Sequence, residues 1–285
     1  MKLDFIRPLN VEAPLASGRS FLSAASGMVR FGNRIFVVAD DDVHLATFNG
    51  SDAGRLIGLL PDALPHDAKA RKKAKPDFEI LLALDGNRLL ALGSGSTERR
   101  MRGVIVDVYK PSPTILLDLT PLIAAISMLV PEVNLEGGVI DGDRLLLFNR
   151  GNMAAPATQV IETSVVATLS GSAAKVRLAR ELDFPDIQGV PLTATDACQL
   201  EDGCFLLSAV AEATDNSYAD GALAGAGVVL LDHELNVIAV EFVEPSVKIE
   251  GIVAKRVEDG IEFFCVTDAD DPVQPAGLYR ALWRT

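Results

Sequence analysis

Leu135-Glu136-Gly137-Gly138-Val139-Ile140-Asp141-Gly142-Asp143-Arg144-Leu145-Leu146-Leu147-Phe148 holds a polar residue, a short apolar stretch, a turn and a second apolar run. The Asp141-Gly142-Asp143 turn is built from residues that accept the positive φ of a tight hairpin, so the segment predicts two antiparallel strands. Four other stretches repeat the pattern: Ala25–Asp40, Phe78–Leu92, Thr195–Leu207 and Ile249–Val266, the last interrupted before Gly260. Their leading polar residues, with Glu136, are Ser26, Glu79, Asp196 and Glu250, spaced along the chain by 53, 57, 60 and 54 residues. A repeat of this length accommodates four short strands, which is one propeller blade.

Third strands follow at Val43–Phe48, Gly103–Val108, Gln159–Val165, Val228–Asp232 and Gly277–Trp283. Fourth strands follow at Arg55–Leu60, Thr114–Leu119, Lys175–Leu182 and Val237–Val243. The fifth unit has no fourth strand of its own, and Leu3–Leu9 can supply it: counted around the join, the last spacing is 61 residues. Closing the ring in this way removes exposed sheet edges. The expectation is an all-β, five-bladed β-propeller over residues 1–285, with the N-terminal strand closing the last blade. An open β-sandwich has similar strand spacing, and a six-bladed ring would need a degenerate blade. No stretch is left over for a sixth.

Composition narrows the function classes. The 285 residues are 49% apolar, enough for a large core, and 39 acidic against 26 basic residues give a net charge of −13. Such a chain repels phosphate backbones and anionic lipid surfaces, which argues against nucleic acid and membranes as partners. The start, Met1 to Pro8, has no long apolar run and does not read as a secretory signal. Three cysteines, Cys198, Cys204 and Cys265, do not make a disulfide framework and suit a reducing, cytoplasmic setting. Two inserts break the repeat. A short helix is expected from Thr120 as N-cap with Pro121 at its first position, and Ala213–Gly227 reads as a mobile loop. A basic run, Lys69 to Lys75, reads as a solvated loop.

The innermost strand of each blade lines the central channel, so equivalent positions form a ring about the axis. Ser26, Glu79, Glu136, Asp196 and Glu250 would place four carboxylates and a hydroxyl around one small volume. Oxygen-only ligands of high charge suit Ca²⁺, and the absence of His and Cys argues against zinc. Alternatively these residues hydrogen-bond the backbone of a neighbouring blade, or line an acidic, water-filled funnel. Loops on one face of a ring commonly carry function, and Arg150 and Arg100 on such loops would suit a phosphate or carboxylate of a small anionic ligand. His44, His66 and His233 stand in no nucleophile motif, and Gly93-Ser94-Gly95-Ser96 falls short of a phosphate loop.

Ser26-Gly27 followed by a hairpin and Asp40-Asp41, Glu79 opening a strand, and Glu250-Gly251-Ile252 resemble the register of calcium-activated apyrase. That resemblance implies an axial calcium held by acidic and hydroxyl side chains. Asn134-Leu135-Glu136-Gly137, Asn149-Arg150-Gly151-Asn152 and Asp118-Leu119-Thr120-Pro121-Leu122 resemble, over most of the chain, a bacterial propeller family of unknown function akin to esterase-like phytase propellers. The function these features imply is calcium-dependent hydrolysis of phosphate esters or anhydrides. A ligand- or protein-binding propeller with a structural axial cation is the alternative.

Overall fold

The computed structural model of the chain describes residues 1–15, 17–61, 63–171, 175–216 and 221–284. Five antiparallel sheets form five blades whose innermost strands pack in a closed ring. Those innermost strands are Ala25–Phe31, Phe78–Ala83, Leu135–Asp141, Val190–Gln199 and Lys248–Val257. In the last blade Lys248–Val257, Gly260–Asp268 and Gly277–Trp283 are completed by Asp4–Pro8. Asp4 stands opposite Arg280 and Pro8 opposite Gly277, so the chain start closes the ring as its spacing predicts.

The core is five layers rather than one, each between neighbouring blades. In the second strand of blade 3, Leu145 and Leu147 pack toward blade 2, while Leu146 and Phe148 pack toward blade 4. In blade 1, Val37 faces blade 5 and Phe36 and Val38 face blade 2. A strand covered on both faces reads as a continuous apolar run, which is why these runs show so little alternation. Val37, Leu89, Leu145, Leu147, Phe205 and Phe263 are buried in these layers as expected of them, whereas Ile35 at a strand start is half-buried.

Two devices shape the axis. The first is close approach. A Cβ on Gly251 would sit 2.2 Å from the carbonyl oxygen of Ser26, one on Gly27 would sit 2.5 Å from the amide nitrogen of Leu81, and one on Gly137 would sit 2.8 Å from Cα of Asp196. Three of the five blades therefore need glycine just after the leading polar residue, because the next blade's backbone fills the space of a side chain. The second device is a β-bulge in every innermost strand, at Ala25/Met28, Phe78/Ile80, Leu135/Gly137, Ala194/Asp196 and Ile249/Ile252. A bulge re-aims the unpaired residue. In blades 1, 2, 3 and 5 it turns a polar residue toward one mouth of the channel.

Several local expectations are corrected. The helix after blade 2 runs Thr120–Ile126 with Leu119 at the cap; Asp118 accepts the Thr120 N–H, so the acceptor lies one residue before the cap. The basic run is a helix, Ala68–Ala74, capped by Asp67, not a loop. Much of the insert at Ala213–Gly227 is strand, Ala222–Leu231 pairing with Phe205–Ala213, while residues 217–220 of it lie outside the described residues. Blade 4 also gains a short strand, Asp186–Ile187, against Val190–Pro191.

Candidate functional site

One mouth of the channel is polar, and the bulges build it. In blades 1, 2, 3 and 5 the residues pushed out of the ladder include Ser26, Glu79, Glu136 and Glu250, and all four line one cavity. In blade 4 the unpaired residue is Thr195, and Asp196 pairs with Ser208. The ring expected from the repeat is thus shifted by one residue there. Asp196 does not line the mouth: its Oδ2 accepts the Ile252 N–H at 2.9 Å. Burial holds its pKa well above the usual carboxylate range, although N–H groups of Ile252, Ala197 and Met28 oppose that rise. It ties blade 4 to blades 5 and 1 at the waist. Thr195, in the ring position, donates to the Ile249 carbonyl at 2.8 Å.

Two of the four bulge residues, Glu136 and Glu250, meet cations directly. Lys248 Nζ lies 3.2 Å from Asp268, 3.1 Å from Asp270, 3.7 Å from Glu212 and 3.9 Å from Glu250. Arg150 Nη2 lies 2.6 Å from Glu212, and its Nη1 lies 3.6 Å from Glu136. Arg100 is buried with Nη1 2.7 Å from Asp77 Oδ2, an oxygen that also accepts the Ser94 hydroxyl at 2.6 Å. Lys75 pairs with Asp40 and lies 2.7 Å from Asp77. Asn134 donates to Glu136 at 2.7 Å, and Asn149 in turn accepts the Asn134 N–H at 2.6 Å.

This network divides the carboxyls into two kinds. Glu212 is held below the usual range by Arg150 and Lys248, which overcome its burial. Glu250 and Glu79 are pushed well above it, first by desolvation and then by neighbouring carboxylates. Asp268 is pushed up to about 7 by burial, with Lys248 pulling the other way. Burial alone would lower the pKa of Lys248, but Asp268, Glu250 and Glu212 hold it well above normal. Glu250 Oε2 is buried with no hydrogen-bond partner among the described residues. The mouth therefore sets carboxyls whose burial favours the protonated form beside one whose cations favour the ionised form, the arrangement that acid–base chemistry requires.

The geometry also tests the expected calcium. A cation shared by Ser26, Glu79, Glu136, Asp196 and Glu250 does not fit: Asp196 faces backbone amides, and Arg150 and Lys248 stand beside Glu136 and Glu250. A tighter oxygen set, Asp40, Asp77 and Glu79, has ligand atoms within 4.8 Å of one another, but the Lys75 ammonium sits against two of its members.

Repeat reasoning missed Lys75, Asp77, Glu212 and Lys248. A signal for two of them was present. Asp77, Asn134, Thr193 and Lys248 each stand two residues before the unpaired residue of their strand, and residues two apart on a strand share a face. Lys75 and Glu212 carry no such mark, since they arrive from a helix end and a second strand. His44 is held by Asp42 at 2.5 Å and does not line the cavity.

Three solved structures share the fold. An assigned exo-β-1,3-galactanase of Bifidobacterium bifidum is 10% identical, with TM-score 0.56 over 98% of this chain and 94% of that one. An assigned glycosidase of Bacteroides thetaiotaomicron is 9% identical, with TM-score 0.55 over 97% and 93%. An assigned glycoside hydrolase of Parabacteroides distasonis is 11% identical, with TM-score 0.52 over 98% and 95%. No curated protein sequence matches the chain. The match that reaches the sequence itself spans residues 21–282, from before the first bulge to the last strand, and by it the chain belongs to DUF6929, a family of unknown function.

Proposed function

We propose that the polar mouth is a hydrolase active site that works by carboxyl acid–base chemistry on a glycosidic bond. The observation that carries this reading is Glu250: a buried carboxyl with raised pKa, one oxygen unpartnered, in the same cavity as Asp268. Glu250 would protonate the leaving oxygen. Asp268, ionised above about 7, would act opposite it as base or nucleophile. Both carboxyls lie within 3.9 Å of the Lys248 ammonium, so the oxygens that face it are at most about 7 Å apart, below the roughly 9.5 Å upper limit for the carboxyl pairs of glycosidases. The fold is shared with propellers assigned to that chemistry, which adds analogy but no residue. No aromatic ring lines the cavity among the described residues, so sugar recognition would rest on hydrogen bonds from groups such as Asn134 and Asn152.

The test is turnover of a panel of nitrophenyl glycosides by the full chain. Glu250→Gln and Asp268→Asn should each lower kcat by about 10²–10⁴ with little change in melting temperature. Unchanged turnover in both variants would contradict the assignment. Calcium-dependent phosphate hydrolysis is the second reading, favoured by the Asp40, Asp77 and Glu79 oxygens and weakened by Lys75 among them. In that case nitrophenyl phosphate would be the better substrate, chelator would abolish its turnover, and Arg150→Ala or Arg100→Ala would reduce it.

A further inference from the structure

The other mouth of the channel has the opposite chemistry. Beyond the bulges the same five strands enclose a cavity of about 540 Å³ walled by Met28, Leu81, Val139, Ala197 and Ile252 among others. Its size lies within the roughly 300–1,000 Å³ of small-molecule pockets. The waist separates it from the polar mouth: Gly27, Gly137 and Gly251 pack against neighbouring backbone there, and Asp196 bonds across blades.

The rim carries a cationic side chain. Arg30, on the wall, holds its guanidinium 4.7 Å from the centre of the Phe264 ring, which also lines the cavity. Its Nε donates to the Gly32 carbonyl at 2.8 Å, and its two terminal amino groups make no hydrogen bond or ion pair among the described residues. Lys255 on the adjoining blade is paired with Glu262 at 2.9 Å. A fixed guanidinium with two outward amino groups is a fork for a carboxylate, and the apolar wall behind it accepts hydrocarbon. We infer that this mouth binds a small apolar carboxylic acid, its chain within the channel and its carboxylate on Arg30.

Isothermal titration of the full chain with dodecanoate, below its micelle concentration, tests this, with dodecanol as the uncharged partner probe. Dodecanoate should bind one to one and saturably. Ala83→Trp, at an exposed position of the lining, should weaken both probes at least tenfold while the melting temperature holds. Arg30→Gln should weaken dodecanoate at least tenfold and leave dodecanol unchanged; being an exposed substitution, it tests the head group even if the tryptophan variant is unstable. Non-saturating heats with dodecanoate, full binding by Ala83→Trp, or equal weakening of acid and alcohol by Arg30→Gln would overturn the inference.

Discussion

The two mouths of the channel are made from the same five strands within a few residues of each other, yet one is a lattice of buried charge and the other has walls of apolar side chains with a charged rim. The difference lies in where the strands bulge. Up to the bulge, alternate residues such as Asp77 and Glu79, or Lys248 and Glu250, face the polar mouth. Past it, Leu81 and Ile252 face the apolar one. A repeat with a bulge at one register thus gives a tube two chemistries, and the glycine waist keeps them apart.

The largest effect should come from the waist itself. Gly251→Val places a side chain against the Ser26 carbonyl and Met28 backbone, atoms that cannot yield, and should cost about 4 kcal/mol or more and prevent soluble expression. Soluble, fully stable protein would show that the blades need not approach so closely.

Next is the charge lattice. Lys248→Met leaves Glu212, Glu250 and Asp268 facing one another without their shared cation and should destabilise the protein by about 3–5 kcal/mol at pH 7. The loss should shrink toward pH 5 as Asp268 takes up its proton. Denaturant titrations at both pH values check this, and an equal loss at both would contradict it. In the apolar layers Leu147→Ala should cost about 2–5 kcal/mol with no pH dependence, which separates packing from charge.

A smaller effect is the slope of stability with pH. The folded-state pKa of Asp268, about 7, lies above its unfolded value, so the folded state holds the extra proton. The contribution of Asp268 to stability should therefore fall as pH rises from about 4 to about 7 and level off above that. Asp268→Asn should flatten part of the slope, because Glu250, Glu79, Asp196, Glu136 and Asp40, whose shifts have the same sign, also contribute to it. A slope unaltered in the variant would show that Asp268 titrates normally.

These contrasts mark how far sequence reading reaches. Blade number, the closing strand and the polar register were legible because spacing and turn residues survive in one dimension. Asp196 was not, since a one-residue change in bulge position moves it from the mouth to the waist, and bulges leave no composition signal. Lys75 and Glu212 were hidden because they enter from elements outside the innermost strands. Reading Lys69 to Lys75 by charge alone placed in solvent a lysine that is buried against Asp40 and Asp77. The apolar mouth was hidden by the same strand runs that gave the core, since burial between blades and exposure to a channel select the same residues.

If the polar mouth works by acid–base chemistry, it holds carboxyls protonated near neutral pH. ¹³C-carboxyl NMR of protein labelled at Asp and Glu, titrated from pH 4 to 9 with Asp268→Asn and Glu250→Gln for assignment, tests it directly. Asp268 should titrate near 7, and Glu250 should keep its proton to higher pH than a surface glutamate. Both titrating close to pH 4, as solvated carboxyls do, would contradict it.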